Sequence, residues 1–302
     1  MPSHFPTQDA AALCRLEQYA TLRVSGADAQ SFLQNLLSND IREVDGAHAQ
    51  YSSFNSAKGR MLAHFLIWQD GGDYLLQLPG SLAQSLRKKL SMYVLRAKVT
   101  VTDSGLSSFG LIGAGAEQLL PDACKGLPKM GCARFDQYLA IRIDDARYLI
   151  SAAQTPDIPA EIVDGQHWDL LDIRAGIPNI FVQTQEQFVP QMVNLDLTGG
   201  VNFKKGCYPG QEIVARMHYL GKPKRRMYLA HVASTAAPGD ELYSQSMQEQ
   251  SCGTIVNAAV APGGGYDVLA VVQIDSRTAG PVHLGSMQGP ELSFGELPYA
   301  IP

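Results

Sequence analysis

The hydrophobic repeat of this chain changes period several times, and that switching confines the fold to classes that interleave strands with helices. From Tyr19 to Ser25 polar and apolar residues alternate, the period-two pattern of a half-buried strand. Gly26 punctuates, and the residues from Ala27 to Leu37 then place Phe32, Leu33, Leu36 and Leu37 on one helical face. Strand-like stretches return at 48–54, 61–68 and 74–78, joined by turns at 55–59 and at Gly71-Gly72-Asp73. A helix is predicted from about Ser81, with Leu82, Leu86 and Leu90 at i, i+4 and i+8, followed by a β-branched strand at 99–102. The period thus runs from two to 3.6 and back, an α+β signature. A looser round of the same grammar occupies 107–165 and includes a hairpin, 138–143 and 147–151 around Asp144-Asp145. From about Tyr228 short apolar runs alternate with turn clusters at Ala237-Pro238-Gly239-Asp240, Pro262-Gly263-Gly264-Gly265 and Gly289-Pro290, which predicts a compact antiparallel β-barrel.

A chain of 302 residues with 45% apolar content can bury a substantial core, and its length suits two or three domains. Lys+Arg 24 against Asp+Glu 29 leaves a net charge of −5. That balance favours solubility and argues against indiscriminate coating of nucleic acid, so any anion site must be local. The five cysteines, Cys14, Cys124, Cys132, Cys207 and Cys252, form no C-x-x-C pair and have no suitably spaced histidines. The pattern fits a reducing compartment, without a disulfide framework or zinc knuckle. Met1 to Ala12 shows no basic region followed by an apolar core, and no apolar run approaches the roughly 20 residues of a membrane span. The expected location is the cytoplasm.

Chemistry concentrates in Asn202-Phe203-Lys204-Lys205-Gly206-Cys207-Tyr208-Pro209-Gly210-Gln211-Glu212-Ile213-Val214-Ala215-Arg216. Proline favours the first helical turn, so a helix is expected from Pro209 to about Met217, with Cys207 just ahead of its positive end. Helix terminus and flanking lysines both favour thiolate over thiol; the alternative is an inert, buried cysteine. Glu212 and Arg216 stand at i, i+4 and can pair. Between Lys204 and Arg226 there are seven basic residues (Lys204, Lys205, Arg216, Lys222, Lys224, Arg225 and Arg226) against the single acid Glu212, a local charge of +6. Such a cluster attracts an anion, a carboxylate-tailed cofactor or an RNA phosphate. Tyr208 and Tyr219 alone supply aromatic interleaving, which argues against a stacking platform for single-stranded RNA. Tyr51 to Arg60 reads as a hairpin whose turn carries Asn55, Lys58 and Arg60, and His64 in the next strand reads as a core histidine. Gly113-Ala114-Gly115 has Gln118 where a dinucleotide loop needs its third glycine, so it reads as a plain turn. No Ser/His/Asp triad can be assembled.

The string Lys205-Gly206-Cys207-Tyr208-Pro209-Gly210-Gln211-Glu212, with Arg216 beyond it, resembles the signature of the YgfZ family and its mitochondrial iron–sulfur-assembly relatives. The resemblance spans nearly the whole chain. It takes in Phe32-Leu33-Gln34 with Asn39-Asp40, Tyr51 to Arg60, Leu171-Asp172-Ile173-Arg174-Ala175-Gly176-Ile177-Pro178, Pro190 to Arg216, and Cys252-Gly253-Thr254-Ile255-Val256. It implies the α+β fold of glycine-cleavage T-protein, an aminomethyltransferase, with subdomains in a ring around a folate pocket. On that reading 1–225 forms the folate-binding region, two intertwined α+β subdomains, and 226–302 the C-terminal antiparallel β-barrel. The implied ligand is tetrahydrofolate or a derivative. The implied role is maintenance of iron–sulfur enzymes, among them those that thiolate tRNA, through direct or indirect contact. The implied functional thiol is Cys207. The implied folate contacts are Tyr51, Asn55, Lys58, Arg60, Arg174, Lys205, Gly206, Tyr208, Gly210, Gln211, Glu212 and Arg216.

Two departures separate the chain from true T-proteins. Those carry an Asp-Asp pair in the strand after the hairpin turn, where this chain has Ala63-His64, and a glutamate where it has Arg174. Losing these acids argues against aminomethyl transfer. Three readings follow: a folate-binding accessory factor for iron–sulfur maintenance, a folate-dependent one-carbon transferase or demethylase with another base, and a non-catalytic module whose basic loop docks a protein or tRNA.

Overall fold

Residues 11–221 and 223–302 are described by a computed structural model. Most of the N-terminal stretch read above for a signal, and Lys222 of the basic segment, lie outside the described residues. Contacts divide the chain into two compact units. The first runs up to Ser52 and resumes over Phe65–Trp168; the second comprises Ser53–His64 and Asp169–Pro302.

The strands read from period-two alternation form, with the first falling at Tyr19–Ser25. It is the fourth strand of a five-stranded sheet ordered Gln50–Asn55, Met61–Asp70, Asp73–Pro79, Tyr19–Ser25 and Thr100–Asp103. Met61 to Trp68 is buried at every residue, the mark of a strand covered on both faces. The helix Gly80–Val94 buries Leu82, Leu86 and Leu90, its i, i+4, i+8 stripe, and packs on Tyr19–Ser25 and Thr100–Asp103. The helix expected to reach Leu37 is only Ala29–Gln34. Leu36 and Leu37 are buried from the turn that follows. There the polar run Ser38-Asn39-Asp40 competes with helical bonding: Asn39 Nδ2 donates to the Tyr51 carbonyl, and the Asp40 N–H donates to Asn39 Oδ1.

A six-stranded sheet completes the first unit, in the order Glu161–Asp164, Ala12–Arg15, Ser107–Ile112, Arg147–Ala152, Tyr138–Asp144, Cys132–Arg134. Only the pairing of the first two is parallel. One face contributes Leu13, Phe109, Leu111, Ala140, Tyr148 and Ile150 to the core. On Ser107–Ile112, Gly110 is required because a Cβ there would lie 2.1 Å from the Trp168 ring. Gly113 follows in a tight turn, and a short 3-10 segment, Glu117–Leu119, comes next instead of a phosphate-binding helix.

The C-terminal β-rich tail is a curled antiparallel half-barrel. Its six strands run in the order His283–Leu284, Glu241–Tyr243, Ser251–Val260, Tyr266–Gln273, Arg225–Val232, Ser293–Phe294. Alternate residues fill its core, Tyr228, Ala230 and Val232 from one strand and Val268, Ala270 and Val272 from its neighbour. Bulges after Leu242 and Ile255 bend the sheet. Among the described residues no helix is long and apolar enough to cross a membrane.

Candidate functional site

Two motifs far apart in sequence meet in the second unit. In the hairpin turn the Ser56 N–H donates to the Arg60 carbonyl at 2.7 Å and the Gly59 N–H to the Ser56 carbonyl at 2.9 Å, with Gly59 at φ +69°. Gly210, at φ +77°, caps the helix Gln211–Leu220. A Cβ on Gly210 would lie 2.5 Å from the Cα and N of Gly59 and from the Ser56 carbonyl oxygen. A Cβ on Gly59 would lie 2.9 Å from Cβ of Ile213. The hairpin tip is therefore seated backbone-to-backbone on the start of the signature helix, and only glycine permits both the conformation and the approach. This corrects the expected helix start: it begins at Gln211, not Pro209, because Gly210 in the left-handed region cannot lie within a helix. The helix also runs on to Leu220, past Met217.

The turn segment at 185–188 ties the hairpin down. The Met61 N–H donates to the Phe188 carbonyl and the Glu186 N–H to the Met61 carbonyl, both at 2.8 Å. Gln185 Nε2 donates to the Leu62 carbonyl, and the Arg60 guanidinium donates to that of Gln187. Lys58 is exposed at the tip. Asn55 is fully buried and accepts from the Ser53 hydroxyl at 3.1 Å. Tyr51 belongs to the first unit, where it is buried and its carbonyl accepts from Asn39.

The signature loop divides into buried and open residues. Lys205 is buried with its ammonium 5.2 Å from the centroid of the Tyr208 ring, a cation–π contact, and its carbonyl accepts from Gln211 Nε2. Burial pushes the Tyr208 phenol up. Gly206 faces open space, with no atom within 4 Å of a Cβ. Cys207 is the exposed cysteine; the other four are buried, and burial raises Cys124 to about 11 and Cys132 to about 12. Glu212 and Arg216 are both exposed, and among the described residues no ion pair joins them.

The basic segment is less uniformly available than its composition implies. Arg226 is buried and forms a bidentate pair with Asp196, at 2.7 and 2.9 Å, while also donating to the Gln191 carbonyl. Arg174, expected at the folate, pairs with Asp267 at 2.8 Å, and the same carboxylate accepts from His231. Lys204, Arg216 and Lys224 remain exposed. Just after Arg174, Gly176 at φ +68° makes room for Tyr299, whose hydroxyl donates to the Gly176 carbonyl.

Hydrogen-bonding capacity is stored beside the tip. Asn55 Nδ2, Ser56 Oγ and Gln191 Oε1 are buried and have no partner among the described residues. Gln191 Nε2 donates to the Val214 carbonyl of the signature helix, so its amide is held in place. Buried donors and acceptors of this kind suit a polar heteroaromatic ring such as a pterin. Ser56 and Gln191 escaped the sequence reading, since nothing in a serine or glutamine distinguishes a pocket role until its burial is known. His64 is buried, its ring donates to the Pro178 carbonyl, and it is driven down to about 4 chiefly by desolvation. It is neutral at pH 7.

Comparison with known proteins relates the chain to one family. The GCVT N-terminal domain model matches residues 3–153. "tRNA-modifying protein YgfZ" of Sodalis glossinidius is 30% identical over 99% of this chain and 95% of its own length. The protein of that name from Edwardsiella ictaluri is 31% identical over 95% and 92%. In fold, the crystal structure of glycine cleavage system aminomethyltransferase T from Bartonella henselae superposes with a TM-score of 0.75 at 18% identity, covering 97% of this chain and 87% of that one. The seating of Gly59 on Gly210 thus lies within a T-protein-like fold, and the chain that carries it belongs to the YgfZ family.

Proposed function

We propose that this chain is a cytoplasmic, reduced-folate-binding protein that supports tRNA modification by maintaining iron–sulfur enzymes. The observation that carries the reading is the hairpin tip seated on the signature helix, which brings the buried polar groups of Asn55 and Ser56 beside the Cys207 loop. Asn55 and Ser56 would meet the pterin, and exposed Lys58 and Arg216 the anionic glutamate tail. Arg60, Arg174 and Lys205 have protein partners and would act by holding the walls. The folate supplies one-carbon chemistry when bound. With Ala63 and neutral His64 in place of the T-protein acids, we assign this chain no aminomethyl transfer. The relatives' shared name, tRNA-modifying protein, supports the tRNA side of the proposal.

Cys207 is the residue through which this role is tested. Being exposed, it can be changed without disturbing the core. Cys207→Ala should fold and bind folate normally, yet fail to restore iron–sulfur-dependent tRNA thiolation in a strain lacking its own family member. Cys14→Ala and Cys252→Ala should restore it in proportion to the protein they leave folded. Full restoration of thiolated tRNA by Cys207→Ala, measured by mass spectrometry of digested tRNA, would remove the thiol from the function.

A further inference from the structure

The far end of the signature helix carries an aromatic patch of which the folate reading uses only the neighbouring Arg216. Phe203, from the loop ahead of Cys207, stacks on His218 with ring centroids 3.7 Å apart and planes within 10°. Tyr219 meets both edge-on, at 6.4 Å from Phe203 and 4.8 Å from His218. This cluster is not core: Tyr219 is 64% exposed and the adjoining Leu220 84%. Its rings fix one another's planes while leaving an aromatic face in solvent, which costs apolar exposure and gains the fold little. Phe203 stands just ahead of the basic segment and His218 is not counted as an aromatic, so an aromatic count along that segment misses the cluster.

The charge around the rings has one sign. Lys204 adjoins Phe203, Arg216 precedes Tyr219 by one helical turn, and Lys224 follows the helix; all three are exposed and, among the described residues, none is in an ion pair. The one acid of the segment, Glu212, sits in the first turn, at the opposite end of the helix. Buried Arg226 shows what a structural arginine looks like here, with both nitrogens committed to Asp196. Cations alone would attract any polyanion. Cations around a presented ring select one that offers unpaired bases, because a duplex hides its base faces and an acidic protein surface has none.

We propose that this patch binds unpaired nucleotides of RNA, one base stacking on Tyr219 and neighbouring phosphates meeting Lys204, Arg216 and Lys224. It goes beyond the folate reading and does not depend on it. The test is fluorescence anisotropy of the full chain with a labelled RNA hairpin bearing an unpaired loop, and with the same stem as a continuous duplex. The hairpin should bind roughly tenfold or more tighter than the duplex, Tyr219→Ala should weaken hairpin binding roughly tenfold, and Tyr219→Phe should retain it. Arg216→Gln should weaken it too and lower the slope of log affinity against log salt by close to one. Folate binding by Tyr219→Ala should be unchanged, which separates failure of this proposal from failure of the folate reading. Absence of hairpin binding, equal binding of hairpin and duplex, or an affinity unmoved by Tyr219→Ala would overturn it. A patch built for an acidic protein partner gives the last two results.

Discussion

At the scale of single residues, the signature octapeptide contains two glycines that do opposite things. Gly210 is compelled by structure, since its missing side chain is replaced by the backbone of the hairpin tip. Gly206 faces solvent and has no such demand. Gly210→Ala should therefore destabilise the protein by about 3 kcal/mol, from left-handed strain and backbone overlap, whereas Gly206→Ala should stay within about 0.5 kcal/mol of the parent. Urea denaturation of the two variants checks this, and comparable losses would mean that the tip is not seated as described.

His64 makes a second residue-level case. Desolvation lowers its pKa from 6.5 to about 4. The unfolded chain therefore takes up more protons between those values, and stability falls as pH drops through that window. From pH 7 to pH 5 this one group should cost roughly 2 kcal/mol. His64→Leu should remove that increment from the pH dependence of the urea midpoint, whatever it does to stability at pH 7. A variant whose midpoint declines as steeply as the parent's would show that the ring is not held neutral.

At the scale of elements, local pattern was a good guide where an element answers to its own periodicity. The strand Tyr19–Ser25 and the Leu82, Leu86, Leu90 stripe are both legible because burial of one face leaves a repeat in the sequence. The signature helix was displaced because Pro209 carries a strong local preference, while the governing constraint, Gly59 against Gly210, is a tertiary contact with no local trace. The helix after Gly26 was overextended for a related reason: Leu36 and Leu37 continue the apolar face, but Asn39 and Asp40 divert the backbone into side-chain hydrogen bonds. Charge was misread in the same way. Composition counts Arg226 as an available cation; Asp196, which neutralises it, is distant in sequence. The Phe203, His218 and Tyr219 cluster was invisible until the helix was folded back beside its own loop.

At the scale of the whole molecule, alternating periods gave only an α+β class, and the T-protein architecture came from resemblance, not from composition or periodicity. The 0.75 superposition on an aminomethyltransferase at 18% identity shows how far sequence can drift while a fold is kept. This chain has the hairpin seated on the signature helix, and it has Ala63 and a neutral His64 where the resemblance puts an acid pair in T-proteins. The function proposed for this chain is to hold folate without transferring an aminomethyl group. Isothermal calorimetry with tetrahydrofolate and its polyglutamates tests that claim most directly. The account predicts binding in the micromolar range that weakens as salt rises, with a thermal stabilisation equivalent to about 2.7 kcal/mol once ligand reaches a hundred times its Kd. No heat and no shift in melting temperature at millimolar ligand would contradict it.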